Sequence, residues 1–340
     1  KKHIQEEKMK VEIIGSTKPK YKITKKEAIL FSGKAAGICY MPDTIETLFG
    51  ENEEKTLKRA SNTLKMGHHS VFDHVSFNLE LSNIPKILAM ILNNEGMYTT
   101  SEKSARYTKM QVSERESSLY EKWIKIFSEQ IEKKYPEIIE KQRIKLAQEN
   151  ARYLVSVFTP STIMEYTVSF RQLNYIASFF ENYIKNEENT EFNKLLKPYL
   201  KEFNEQIKDL LVPELNANTK QRKISLFASR NYMEEFGECY SCNYEGTFAE
   251  LAQAQRHRTL RYNMKIEGEP KFYIPKIIEN DEELKSDWLK DINSLKDLFP
   301  QGMLVKINER GTVEDFILKC KERLCGCAQL EIMLQTKEIL

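Results

Sequence analysis

Apolar and polar residues follow two rhythms along the chain, and the changes of rhythm mark its elements. Residues 9–16, MKVEIIGS, and 75–82, VSFNLELS, alternate apolar with polar, the period of a strand with one buried face. Residues 46–67, ETLFGENEEKTLKRASNTLKMG, show helical spacing that closes on Gly67, a natural stop. IPKILAMILNN, 84–94, reads as a short buried helix. From about Leu119 to Phe158 apolar residues recur every three or four positions among charges, which predicts a long amphipathic helix. A second helix is predicted over MEYTVSFRQLNYIASFFENYI, 164–184. Residues 185–224 are polar and weakly periodic, from KNEENTEFNK to NANTKQRK, and are the expected place of a domain boundary.

The pattern also repeats. Displaced by 162 positions, KILAMILNN (86–94) lies over FAELAQAQR (248–256), so two copies share a register while their residues differ. In that register His68 meets Arg230, Asp73 meets Glu235, Asn94-Glu95-Gly96 meets Arg256-His257-Arg258, and Arg106 meets Gly268.

Composition narrows the function classes. A chain of 340 residues with 41% hydrophobic positions can bury a sizeable core in one or two domains. Lys and Arg total 52 against 50 Asp and Glu, and a net charge of +2 offers no broad footprint for nucleic acid. No apolar run approaches the roughly 20 residues that span a bilayer, and KKHIQEEKMK lacks the apolar core of a signal peptide, so the expected address is the cytoplasm. The six cysteines read as thiols in a reducing compartment. A zinc site from Cys239, Cys242, Cys325 and Cys327 is the lesser alternative, because the second pair has unusual spacing. No dinucleotide or mononucleotide glycine loop is present. Against this neutral background QRHRTLRYNMK, 255–265, concentrates Arg256, His257, Arg258 and Arg261, a site for a localised anion rather than a polyanion.

GHHSVFDHVSF, 67–77, resembles the Gly-His-x-Ser/Thr-x-x-Glu-His-x-x-Phe segment of the flavin-dependent thymidylate synthases. The hallmark of that family is Arg-His-Arg, two residues and Ser, followed by a short Asn-Glu-x-x-Ser-x-Arg-Tyr stretch. Here the hallmark is divided. The first copy keeps its tail in SEKSARY, 101–107, with Asn94-Glu95-Gly96 where Arg-His-Arg belongs. The second keeps QAQRHR, 253–258, with Met264, Ile266 and Gly268 where Glu, Ser and Arg belong. Downstream, ENARYLVSVFTPSTIMEYTVSFR is similar to the family's Glu-x-Ala-Arg segment and its Thr-x-Asn-x-Arg segment, with Arg152 kept and Ser169 in place of the Asn. KINER supplies Asn308 and Arg310 in the second copy, and ERLCGCAQLEI is similar to the closing Arg-x-x-x-x-Ala-Gln-Trp-Glu-Ile, with Arg323, Ala328 and Gln329 in place and Phe180 near the first copy's position for that Arg.

The resemblance implies an α/β (α+β) fold: two fused family-like helix-and-sheet repeats, 1–215 with its charged helical linker and a shorter 216–340, forming an internal pseudo-dimer. Family members are tetramers whose sites lie between subunits, so one cleft between the copies would be complete and a homodimer would mimic the tetramer. The implied reaction is reductive methylation of deoxyuridine monophosphate (dUMP) to dTMP with methylenetetrahydrofolate, and NADPH supplying electrons through FAD. Glu102, Ser104, Arg106, Arg152, Gln253, Arg256 and Arg323 would hold dUMP, a phosphate dianion needing charge-assisted donors. Arg323 is the expected catalytic residue, a fixed cation that stabilises charge developing on the base. His68, Ser70, Glu102, Arg256, His257, Arg258, Asn308 and Arg310 would hold FAD. His68, His69, Asp73 and His74 also suit zinc or iron as a set, but the family register gives His68 and Ser70 to FAD and no metal is expected. Arg261 in place of the hallmark Ser, Leu330 in place of Trp, and Met333 at a commonly basic position depart from the pattern. Two other readings follow from them: a flavin enzyme with altered chemistry on a pyrimidine nucleotide, such as hydroxymethylation, and a non-catalytic flavin- or nucleotide-binding subunit.

Overall fold

The computed structural model describes residues 9–16, 22–38, 47–48, 50–103, 110–217, 223–228, 237–324 and 328–340. The chain opens with β1 (Lys10–Ser16) and α1 (Lys25–Ile38). α2 (Glu53–Lys65) starts where the Asn52 side chain accepts the Glu54 N–H at 2.7 Å, and it carries Glu53 and Glu54 in its first turn and Lys65 in its last, as the helix dipole favours. It stops as the sequence predicts. Gly67 has φ 76°, its N–H reaches Leu64 O and the His68 N–H reaches Thr63 O, which together close a Schellman motif.

β2 (Ser76–Pro85), α3 (Lys86–Leu92) and β3 (Tyr98–Glu102) follow. α4 (Glu114–Lys134) and α5 (Glu140–Ala151) lead to β4 (Pro160–Ser169), α6 (Phe170–Asn186), α7 (Glu191–Gln206) and the short α8 (Pro213–Ala217). Then come β5 (Cys239–Thr247), α9 (Phe248–Ala254), β6 (Arg261–Lys265), α10 (Glu282–Asn293), β7 (Leu304–Thr312), α11 (Val313–Arg323) and α12 (Leu330–Ile339).

Two expectations are corrected. The long helix of 119–158 is two helices, because Pro136 holds Tyr135 out of helical geometry (φ −139°, ψ 68°) and ends α4. The helix expected from 164 begins at Phe170; before it Met164, Tyr166 and Val168 alternate as the buried face of β4. Residues 185–224, the expected place of a domain boundary, also hold α7, whose Phe192, Leu196, Leu200 and Phe203 are all buried despite Pro198 within the helix.

The described residues form a mixed helix-and-sheet protein with two compact units that interleave along the chain. Unit one is Lys1–Ile84, Glu95–Glu102 and Thr162–Ile224; unit two is Pro85–Asn94, Lys103–Ser161 and Ser225–Leu340. The larger sheet has order β1-β2-β4-β3 and the smaller β5-β7-β6, with β7 antiparallel to both neighbours. In unit one Phe77 meets Phe170 edge-on at 5.7 Å, and Phe180 meets Phe203 at 5.4 Å. In unit two Trp123 and Trp288 meet edge-on at 4.9 Å beside Phe127 and Ile292, and both indoles are satisfied, by Asp291 and by Tyr273 O.

Candidate functional site

Unit one holds three of the sequence-predicted residues that the structure describes. The Schellman turn presents His68 to solvent, with exposed Ser70 on the 3-10 turn His69–Asp73. His69 is buried, bonded to Tyr175 Oη at 2.9 Å and to Leu64 O at 3.2 Å. Asp73 accepts from Ser169 Oγ at 2.6 Å and pairs with Arg171. These contacts tie the turn to the start of α6, so His69 and Asp73 have structural work. Glu102 ends β3 and accepts from Thr162 Oγ1 at 3.0 Å. Ser104, Arg106, Arg230, Cys39, Cys325 and Cys327 lie outside the described residues.

Unit two brings Arg152 and Gln253 together. Arg152 follows the last residue of α5 and is 6% exposed. Its Nη2 donates to Gln329 Oε1, and Gln253 Nε2, from the end of α9, donates to the same oxygen. Gln329 Nε2 donates to Tyr153 Oη, which donates to Glu331 Oε2 at 2.7 Å. Glu331 also accepts from Thr247 N at 3.1 Å and Thr247 Oγ1 at 2.9 Å, and Thr247 caps α9 by accepting the Glu250 N–H. Burial raises the Glu331 carboxyl above the ordinary range, partly offset by its bonds from Tyr153 and Thr247. Among the described residues Arg152 forms no ion pair with a carboxylate, and its buried Nε has no hydrogen-bond partner. A cation buried in that way is a place for an anion.

The second centre adjoins it through Gln253. The Gln253 carbonyl accepts the Arg256 N–H at 3.1 Å and Arg323 Nη2 at 3.4 Å. Arg323 Nε donates to His257 Nε2 at 2.7 Å. Because arginine is a donor alone, Nε2 must accept, which puts the imidazole proton on Nδ1, 3.7 Å from Glu322 Oε2. Burial, then the charges of Arg323 and Lys319, push His257 down to about 3, so it stays neutral in this role. Arg256 is half-buried and Arg258 exposed. Arg261 and Arg310 stand directly opposite each other on β6 and β7, a like-charge pairing that repels unless an anion lies near. Asn308 is 2% exposed, and its amide donates to Asn243 Oδ1 at 2.9 Å and Ser241 Oγ at 3.0 Å, fastening β7 to β5.

A third set escaped the sequence reading. Lys319 and Glu309 form a fully buried ion pair at 2.6 Å, with Tyr240 Oη donating to Glu309 at 2.8 Å. Glu250, also fully buried, is pushed up to about 8, first by burial and then with Glu331 and Glu309 opposing Lys319. Its Oε2 has no hydrogen-bond partner among the described residues, and a Cβ added at Gly246 would come within 2.7 Å of it. The available signal was a lone charged residue in the otherwise uncharged α9, FAELAQA. Cys239 and Cys242 are free thiols on β5.

Among the described residues of unit two, Arg152, Gln253, Gln329, Tyr153, Glu331, Arg323 and His257 thus form one connected hydrogen-bond network on a helix-and-sheet scaffold. Residues 24–207, more than half of the chain, match the family described as thymidylate synthase complementing protein, and the chain belongs to that family. Among solved structures it is similar to the UMP/dUMP methylase PolB from Streptomyces cacaoi bound with 5-Br dUMP, at 13% identity over 62% of this chain and 93% of that one, with a TM-score of 0.40. For the same methylase bound with 5-Br UMP the identity is 12% over 62% and 92%, with a TM-score of 0.36. No curated protein matches the chain. No described helix is long and apolar enough to cross a membrane.

Proposed function

We propose that the chain reductively methylates dUMP to dTMP at one composite site, with methylenetetrahydrofolate as carbon donor and NADPH as the electron source through FAD. The observation that carries this reading is the network in unit two in which Arg152 and Gln253 share the Gln329 oxygen and Arg323 reaches the Gln253 carbonyl, around a buried guanidinium that has no carboxylate partner among the described residues. Arg152 belongs to the first sequence repeat and the other three to the second. The reading therefore includes two fused copies whose losses are complementary, completed by Glu102, Ser104 and Arg106, and a homodimer that reproduces the family's tetramer. The matching offsets of α3 and α9 support the fusion.

In this reading Arg152 and Arg256 bind the nucleotide's phosphate, where charge-assisted donors in a dry setting are strongest. Arg323 is the catalytic residue. Neutral His257 accepts from its Nε and the Gln253 carbonyl from its Nη2, so the cation is held still where negative charge grows on the uracil ring, with no reorganisation to be made during reaction. The donor set fits FAD in part: Arg256, Arg258 and the opposed Arg261 and Arg310 suit a diphosphate, with His68 and Ser70 proposed to assist, whereas the Asn308 amide is engaged within its sheet. When bound, FAD supplies the hydride chemistry.

The test is the number of FAD molecules bound per chain by absorbance titration, with and without dUMP. One per chain with a nucleotide-induced spectral change is expected. Two would overturn the single composite site, and none would overturn the enzyme reading.

A further inference from the structure

We infer that Gln329 is a positioning residue for the nucleotide's phosphate, setting both Arg152 and Gln253 through a closed ring of hydrogen bonds; this rests on the function proposed above. The family resemblance supplied Gln329 as a letter in a motif, without a role. The structure supplies its partners.

The polarity of the ring is fixed from its two ends. Arginine has donors and no acceptor, so the Gln329 oxygen must face Arg152. The same oxygen then requires a donor from Gln253, which turns that side chain's NH2 toward Gln329. The Gln329 NH2 is left pointing at Tyr153 Oη, and the phenol passes its own hydrogen to Glu331 at 2.7 Å. Glu331 holds Thr247, the cap of the helix that ends in Gln253, by two bonds at 2.9 and 3.1 Å. The path from the cap of α9 back to its last turn is thereby closed, and no member can turn without unpairing a buried neighbour.

Burial gives the ring its leverage. Gln329 is 4% exposed, Arg152 6%, Tyr153 2% and Glu331 8%, so an unmade bond there is not replaced by water. With Nη2 committed to Gln329, the plane of the Arg152 guanidinium is set, and its unpartnered Nε becomes a donor of fixed direction. A phosphate gains from that order and a bare nucleoside does not. The ring's contribution is therefore read in how much tighter dUMP binds than deoxyuridine.

The experiment measures the dissociation constants of dUMP and deoxyuridine by titration calorimetry on the full chain and on Arg152→Ala, Gln329→Leu and Tyr153→Phe. The wild type is expected to prefer dUMP. Gln329→Leu should cut that preference about tenfold or more, as for loss of a bond to a charged group, while deoxyuridine binding holds within about twofold. Tyr153→Phe, a near-isosteric change that decides the matter if Gln329→Leu does not fold, should cut it about threefold to tenfold. Equal weakening of both ligands would mean a merely structural role and overturn the inference. A preference kept by Gln329→Leu and Tyr153→Phe but lost in Arg152→Ala would overturn it too, leaving the proposed function intact. No preference for dUMP in the wild type would sink the proposed function itself.

Discussion

The strand-helix-strand segment β2-α3-β3 and its counterpart β5-α9-β6 answer the same packing problem with different residues. α3 and α9 are both seven residues long and 162 positions apart, and the partner strands β4 and β7 end 143 positions apart, each capped by a hydroxyl, Ser169 or Thr312, that opens the next helix. The order β2-β4-β3 equals β5-β7-β6. In these registers Leu88 stands for Glu250, Ile91 for Gln253, Tyr166 for Glu309, Ile176 for Lys319 and Phe180 for Arg323, and all five first members are fully buried. The apolar set shows that the scaffold has no need of the charges. Buried ion pairs of this kind are commonly no more stable than hydrophobic residues of similar volume, so stability alone does not account for their presence around β7.

The largest effect should come from breaking that contrast at its far end. Arg323→Ala should lower turnover of dUMP by about a hundredfold to a thousandfold, the usual cost of removing one preorganised donor, read as kcat in a dTMP assay. Its counterpart Phe180→Leu should cost about 1 kcal/mol of stability and leave turnover per folded molecule unchanged. Equal losses of turnover from the two variants would erase the distinction between site and scaffold.

Next in size is the buried pair. Lys319→Met leaves Glu309 as an uncompensated buried carboxylate and should destabilise the protein by about 3–5 kcal/mol in denaturant titration. Ile176→Met at the matching position should cost less than about 1.5 kcal/mol. A Lys319→Met protein as stable as the wild type would mean that the pair is not shut away from water.

These residues also show what a sequence can disclose. The candidate residues Arg152, Gln253, Arg256 and Arg323 were visible as letters because they sit in short motifs, Gln253 and Arg256 together in QAQRHR. Their meeting point was not, since Gln329 bonds Arg152 across 177 positions and no local rhythm reports such a contact. The strand β4 was misread although MEYTV alternates, because the strong helical period of the residues after Phe170 was carried back across a boundary set by the Ser169 cap. α7 was hidden differently: Pro198 and its charges blur a stripe whose buried members, Phe192, Leu196, Leu200 and Phe203, keep helical steps. Glu250 was visible as a letter, but its raised proton affinity arises from burial beside Glu309 and Glu331, contributed by β7 and α12.

The smallest predicted effect separates two groups of opposite sign, Glu250, whose counterpart is the apolar Leu88, and His257. Glu250 binds its proton up to about pH 8 when folded and to about 4.5 ordinarily, so stability falls as pH rises between those values. His257 is held down at about 3 against 6.5, so stability falls as pH drops through that interval. Between 4.5 and 6.5 the two contributions oppose one another and these groups together give a plateau. Above it Glu250 acts alone, at up to about 1.4 kcal/mol per pH unit for one proton. In Glu250→Gln the downward slope above pH 6.5 should vanish, and stability should instead climb through the former plateau, because His257 is then unopposed. Urea titrations at pH 5, 6.5 and 8 resolve the difference. If the variant kept the wild-type slope above 6.5, the proton would reside elsewhere in the cluster, with Glu331 the next carboxyl that burial has raised.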